Sequence, residues 1–269
     1  MLGLDNYRYH EAIAVADLGR RVGIRKKAKT LQKFGRRSIG SSGEYTIAQF
    51  ADAHETLVTT NAIDSAVSSS GSDTQTLTVE GHTIDASGNL TFVVQDVTLT
   101  GQTPAPLATP LARATRAYVK NGTFAAPATN LVGSARVYDS SAAGGTSAGV
   151  PVNSVSIKMR IAAGQSNSFK AQTAISQADC LFITGLSFMA TRASGSANAD
   201  FQVQVKEIGG VWRSLGVDVS LRTSAQPYTF VPIFPWRYVA PNSDVRIIAT
   251  VTAACDLAAH WQGILASAR

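Results

Sequence analysis

The stretch Ala199-Asp200-Phe201-Gln202-Val203-Gln204-Val205-Lys206 decides the fold of this chain. Its apolar and polar side chains alternate at every position, and successive side chains of a β-strand point to opposite faces of a sheet. One face of this strand therefore covers a core, and the other face is polar. The pattern predicts a protein built of antiparallel sheets that bury one side.

Similar strand patterns recur along the chain after Gly43 and are separated by clusters of Gly, Asn, Asp and Ser. The stretch Asp85-Ala86-Ser87-Gly88-Asn89 is one such turn cluster. Short strands between turns of this kind are typical of β-sandwiches and barrels. The other predicted strands are 76–80, 90–94, 97–100, 114–119, 134–138, 154–161, 181–189, 212–221, 228–233 and 244–252.

Length and loop composition predict an arm and two domains. A chain of 269 residues exceeds the usual size of one small domain. The stretch 140–151, SSAAGGTSAGVP, is uncharged and Gly-rich, which indicates a long loop or a linker. We expect an all-β protein with an extended or partly helical basic arm over residues 1–45. Two small antiparallel, jelly-roll-like β-sandwiches are expected to follow, over residues 46–150 and 151–269.

The excess positive charge lies in the arm. Residues 1–37 hold ten basic and three acidic side chains, whereas the rest of the chain holds 14 basic and 15 acidic ones. The apolar residues of this segment are too few for a core of their own, so the arm is expected to order on a partner. The residues expected to bind that partner are Arg20, Arg21, Arg25, Lys26, Lys27, Lys29, Lys33, Phe34, Arg36 and Arg37.

The partner of this basic run could be nucleic acid or an acidic protein surface. Each lysine or arginine could neutralise a phosphate. However, Phe34 is the one aromatic residue within the run, and no known nucleic-acid-binding fold accompanies it. We therefore favour a protein partner.

Catalytic, cofactor and metal sites are not predicted. The four histidines show no metal-ligand spacing, and the Gly-Ser turns lack the following helix of a nucleophile elbow. The isolated Gly-Gly pairs lack a P-loop lysine. We expect a protein that is not an enzyme and has no cofactor. No stretch approaches the roughly 20 apolar residues of a membrane span, so no membrane contact is expected.

Several motifs resemble those of a known group of proteins. They are Lys33-Phe34-Gly35-Arg36, Leu77-Thr78-Val79-Glu80-Gly81, Val97-Thr98-Leu99-Thr100-Gly101-Gln102-Thr103-Pro104, Arg116-Ala117-Tyr118-Val119, Ile161-Ala162-Ala163-Gly164-Gln165 and Gly209-Gly210-Val211-Trp212-Arg213. Their succession resembles tailed-bacteriophage virion structural proteins of marine podovirus and siphovirus type, in which a KFGR-like motif precedes two β domains. The resemblance implies a structural role in a virion that assembles in the host cytoplasm.

The leading hypothesis is a capsid decoration or cement protein, anchored to the shell through its arm. Its partners would be further copies of itself and the major capsid protein. The alternative is a tail component, either a fibre adaptor or a ring protein, with tail proteins as partners.

A remote alternative is a carbohydrate-binding module, which needs exposed aromatic side chains beside carboxylates. Trp212, Trp236 and Trp261 stand in apolar strand contexts, so core or interface packing is the favoured role for them.

Overall fold

The computed structural model describes residues 28–49, 54–120, 130–192, 195–223 and 228–267. Within these residues the regular structure consists of β-strands and one short 3-10 helix, Ser154–Ser156. The sheets are built from antiparallel pairs, so the all-β prediction is confirmed. In the described part of the chain, no helix is long and apolar enough to cross a membrane.

The strands follow one another in three runs. The first run is β1 (Lys29–Ile39) and β2 (Gly43–Thr46). The second run is β3 (Ile63–Ser68), β4 (Thr76–Ile84), β5 (Leu90–Thr98), β6 (Ala105–Leu111), β7 (Arg113–Val119), β8 (Ala135–Asp139), β9 (Thr146–Ser147), β10 (Val150–Pro151) and β11 (Ile157–Ile161). The third run is β12 (Gln172–Ile175), β13 (Asp179–Thr191), β14 (Asn198–Glu207), β15 (Arg213–Arg222), β16 (Tyr228–Val239), β17 (Ser243–Val251) and β18 (Cys255–Ser267).

The second run of strands forms one sandwich, which we call the insert sandwich. Its two sheets have the strand orders β11-β8-β3-β6 and β5-β4-β7. Alternate side chains of both sheets meet in a buried core that includes Leu77, Leu111, Val137 and Met159. The core therefore draws on strands from β3 to β11.

The first and third runs together form the other sandwich, which we call the terminal sandwich. One sheet has the order β1-β18-β13-β16, and the other has the order β12-β17-β14-β15, with β2 also paired to β17. Trp261, Phe188 and Phe201 are buried between the two sheets. Most connections from β12 to β18 pass from one sheet to the other, which is the jelly-roll arrangement.

This topology corrects the expected division of the chain. The insert sandwich lies, in sequence, between β2 and β12 of the terminal sandwich. The expected boundary at residue 150 falls inside the insert sandwich, because β11 pairs with β8 beyond it. The Gly-rich stretch expected as a linker contains the small hairpin of β9 and β10.

The expected arm over residues 1–45 also differs from the structure across its described part. β1 pairs with β18 along its whole length, and β2 pairs with β17. These residues therefore belong to the terminal sandwich and share its core through Ile39. Residues 1–27 of the expected arm lie outside the described residues.

Buried polar contacts join the two sandwiches. The Lys170 ammonium lies 2.7 Å from a Glu55 carboxylate oxygen, and both side chains are almost fully buried. The same ammonium donates hydrogen bonds to the backbone carbonyls of Ala114 and Lys158. The Asn242 side chain accepts a hydrogen bond from the Leu90 backbone amide at 2.8 Å. Because breaking such buried contacts is costly, they hold the sandwiches in one arrangement.

Candidate assembly face

The basic residues predicted to bind a partner alternate in direction along β1. Lys33 and Arg37 are buried, whereas Phe34 and Arg36 are exposed; Lys29, on the same side of the strand as Lys33, is exposed at the start of β1. This alternation follows from the two-residue period of a strand. The remaining predicted residues, Arg20, Arg21, Arg25, Lys26 and Lys27, lie outside the described residues.

Lys33 connects the terminal sandwich to the insert sandwich. Its ammonium donates a hydrogen bond to the Thr115 backbone carbonyl at 3.2 Å. Burial is the main cause that lowers the pKa of Lys33 to about 8, and the nearby Glu80 carboxylate partly opposes it. The expectation that Lys33 binds a partner is corrected, since its side chain is used within the chain.

Arg37 also makes its contacts inside the terminal sandwich. Its guanidinium donates a hydrogen bond to the Thr46 backbone carbonyl at 3.1 Å and lies over the Tyr45 ring, 4.9 Å from the ring centroid. These contacts tie β1 to β2 across the open edge of the sandwich. Arg37 is therefore a second correction to the predicted partner-binding set.

Gly35, between the two inward-pointing basic residues, lets another part of the backbone approach closely. A Cβ atom at this position would lie 2.3 Å from the Ile47 carbonyl oxygen and 2.5 Å from the Ala171 amide nitrogen. No side chain fits at such distances. The glycine of the KFGR-like motif is thus explained by the packing of β1 against the segments next to β2 and β12.

Phe34 points to the opposite side of β1 and leads to a broad apolar surface. In the sheet β1-β18-β13-β16 it is aligned with His260, Ser187 and Phe230. The neighbouring rows of outward-facing side chains bring Met189 beside Tyr228 and Phe182 beside Tyr238. We call the outward side of this sheet the assembly face.

Large hydrophobic side chains on the assembly face are open to solvent. The exposed fractions are 44% for Phe34, 37% for Met189, 57% for Tyr228, 44% for Phe230 and 53% for Tyr238. Across the paired rows that the structure describes, Arg36 and Asp256 are the charged side chains of this face. Burial lowers the pKa of His260, which favours its neutral form. Removing such a surface from water therefore costs little desolvation free energy.

The other sheet of the terminal sandwich has a polar outward side. Its strand β14 presents Asp200, Gln202 and Gln204 outward, and the Gln202 amide donates a hydrogen bond to Asp218 on β15. The two outward sides of one sandwich therefore differ sharply. Of the two sheets of the terminal sandwich, as far as the structure describes them, the sheet that contains β1 has large apolar side chains on both of its sides.

Sequence reasoning missed the assembly face, although a signal for it was present. In β13 and β18, hydrophobic residues occur at consecutive positions, as in Cys180-Leu181-Phe182-Ile183 and Gly263-Ile264-Leu265-Ala266. A strand that is buried on one side only would alternate, as β14 does. The absence of alternation in β13 and β18 indicates that other protein surfaces cover both sides of this sheet.

The described residues offer little for metal or covalent chemistry. No group of three or more His, Cys, Asp or Glu side chains is placed to hold a metal ion within the described ranges. Cys180 and Cys255 are buried free cysteines, and burial raises the pKa of both thiols. Of the tryptophans, Trp261 is fully buried and Trp212 lies beneath the Arg246 guanidinium, 4.1 Å away.

No protein-family profile and no curated protein matches this chain. Among solved structures, infectious bursal disease virus Gx strain matches with 10% identity over 89% of this chain and 72% of that chain, with a TM-score of 0.24. The VP2 subviral particle of infectious bursal disease virus matches with 8% identity over 90% of this chain and 72% of that chain, with a TM-score of 0.20. Values this low show neither a common fold nor a common function.

Proposed function

We propose that this protein is a non-enzymatic structural subunit of a bacteriophage particle, a decoration protein on the capsid exterior. The observation that carries the proposal is the assembly face, a wide, nearly uncharged and partly aromatic surface on one sheet. The resemblance of the sequence motifs to phage virion proteins supports the same role.

The partner that covers the assembly face is a second copy of this chain. In the rows that the structure describes, its charged groups are Arg36 and Asp256, so two copies could pair these groups across a symmetric contact. The large exposed side chains of the face are aromatic residues and methionine, which are enriched in protein interfaces, and Lys and Glu are absent from its described rows.

The basic run of β1 supports protein contact over nucleic acid. Lys33 and Arg37 are turned inward, which leaves Lys29 and Arg36 as its exposed cations in the described part. Phe34 packs edge-to-face on Phe169, with ring centroids 5.5 Å apart, so one side of its ring is already in contact. Two separated cations and a partly covered ring do not make the continuous basic groove that single strands bind.

Particle composition tests this function. Purified particles of the encoding phage are analysed by gel densitometry, and the band of this protein is compared with that of the major capsid protein. A decoration protein is present at a number of copies comparable with the capsid protein. About a dozen copies or fewer would place the protein in the tail instead. Absence from the particle would contradict a virion role altogether.

A further inference from the structure

A cleft of about 730 Å³ lies between the two sandwiches. It is lined by β1, β12, β13 and β18 of the terminal sandwich and by β4, β5 and β7 of the insert sandwich. Its size is within the range of small-molecule sites, which occur preferentially where two domains meet. The buried contacts between the sandwiches fix its walls, so the cleft is formed before any ligand arrives.

The charged groups of the cleft balance one another. Lys29 and Lys33 line it from β1, Glu80 lines it from β4 and Asp179 from β13. An anion would meet two carboxylates, and a cation would meet two ammonium groups. The balance favours a ligand without net charge that can both donate and accept hydrogen bonds.

The rest of the lining consists of hydroxyl-bearing side chains, the rings of Phe92 and His82, and the aliphatic side chains of Leu31, Ala174 and Leu265. The hydroxyl-bearing side chains are Thr30, Thr115, Thr173, Ser176 and Ser267. Phe92 is 49% exposed, and it meets the His82 ring edge-to-face with the two centroids 5.3 Å apart. The cleft therefore offers an exposed aromatic ring and, elsewhere in its lining, the Glu80 carboxylate, two groups that can contact a saccharide.

His82 is the buried polar group of the cleft that lacks a partner. Its side chain is 3% exposed, and its Nδ1 atom has no hydrogen-bond partner among the described residues. Burial, assisted by the charges of Lys33 and Arg113, lowers the pKa of His82 to about 3. The imidazole is therefore neutral at neutral pH. A buried polar atom without a partner is costly, which points to a ligand or solvent group that completes it.

We propose that this cleft binds a neutral saccharide, with Phe92 as the stacking surface and Glu80 and His82 as hydrogen-bonding groups. A sugar hydroxyl both donates and accepts, and the C–H side of a pyranose ring is apolar. A purely apolar ligand would leave the Nδ1 atom of His82 without a partner in a dry site. This inference does not rest on the assembly face, so each can fail without the other.

Saturation-transfer NMR on the full chain, followed by titration, tests the proposal with glucose, galactose, N-acetylglucosamine and maltotriose as probes. The informative variants are Phe92→Ala and Glu80→Gln. The matched control is Val94→Ala, because Val94 is 54% exposed on the same strand and does not line the cleft. Thermal melting of each variant checks that it folds.

The expected result is binding of at least one probe with a Kd in the range of about 1 mM, unchanged by Val94→Ala. Phe92→Ala and Glu80→Gln should each weaken that binding by about tenfold or more. Failure of all four probes to bind the wild-type chain would overturn the proposal. So would equal binding by folded Phe92→Ala, or binding of inorganic phosphate or palmitate more tightly than any sugar.

Discussion

Arg113 of the insert sandwich and Asp244 of the terminal sandwich form a two-point ion pair. The Arg113 Nε atom lies 2.7 Å from Asp244 Oδ1, and its Nη2 atom lies 3.0 Å from Oδ2. The Arg113 side chain is 7% exposed and that of Asp244 is 0% exposed. The remaining nitrogen of Arg113 donates to the backbone carbonyls of Val58 and Ala112. This pair is a main link that fixes how the two sandwiches meet.

Removal of one member of this pair should destabilise the whole chain. Asp244→Ala leaves a buried guanidinium without its counter-ion, so we expect the free energy of unfolding to fall by about 3–5 kcal/mol. Urea unfolding followed by tryptophan fluorescence measures the change. The double variant Arg113→Met with Asp244→Leu removes both charges and should recover most of the loss. A loss below about 1 kcal/mol in Asp244→Ala would show that the pair contributes little.

Gly35 should tolerate no side chain. Gly35→Ala places a methyl group 2.3 Å from the Ile47 carbonyl oxygen, which forces β1 away from its neighbours. We expect a loss of about 1–3 kcal/mol or more in the free energy of unfolding. Gly40→Ala is the matched control, because a Cβ atom there meets nothing within 4 Å. Equal stability of the two variants in chemical denaturation would refute the close approach.

The same motif shows what sequence could and could not predict. The alternation of β14 correctly predicted an antiparallel sandwich with one polar side. The run of positive charge from Arg20 to Arg37 suggested an arm that orders on a partner, because charge is visible in sequence and strand pairing is not. Lys33 is buried because β18 and Thr115, more than 75 residues away along the chain, complete its surroundings. Such long-range pairing has no local signal.

His82 should make the free energy of unfolding of the chain depend on pH. In the folded chain its pKa is about 3, whereas an unfolded histidine has the ordinary value of 6.5. Below pH 6.5 His82 therefore binds a proton in the unfolded chain but not in the folded chain. The free energy of unfolding falls as the pH falls towards 3. Between pH 7 and pH 5 this one group should remove about 2 kcal/mol.

Comparison with a variant isolates that contribution from other titrating groups. His82→Gln cannot be protonated, so its unfolding free energy should fall less between pH 7 and pH 5 than that of the wild type. His260→Gln is the comparison variant, since His260 is only half-buried and its effect should be smaller. Parallel pH profiles for wild type and His82→Gln, by urea unfolding, would contradict a neutral buried His82.

The insertion of one sandwich into the other also escaped sequence reasoning. The Gly- and Ser-rich stretch 140–151 has the composition of a linker, yet Asp139 caps it by accepting hydrogen bonds from the amides of Ser141 and Ala142. In the Gly209-Gly210 pair, between β14 and β15, a positive φ of 77° is found at Gly209. Turn chemistry was therefore visible in the sequence, whereas the order in which strands join sheets was not.

The most direct test of the account is the mass in solution of the wild-type chain and of Phe230→Glu, by size-exclusion chromatography with light scattering. Phe230 lies on the assembly face, and a carboxylate there would have to be desolvated in any contact. Val211→Glu is the control, because Val211 is 68% exposed in the loop between β14 and β15. We predict a multiple of 28.2 kDa for the wild type and Val211→Glu, and a folded monomer for Phe230→Glu. A monomeric wild type, or a Phe230→Glu variant that keeps the wild-type mass, would contradict assembly through this face.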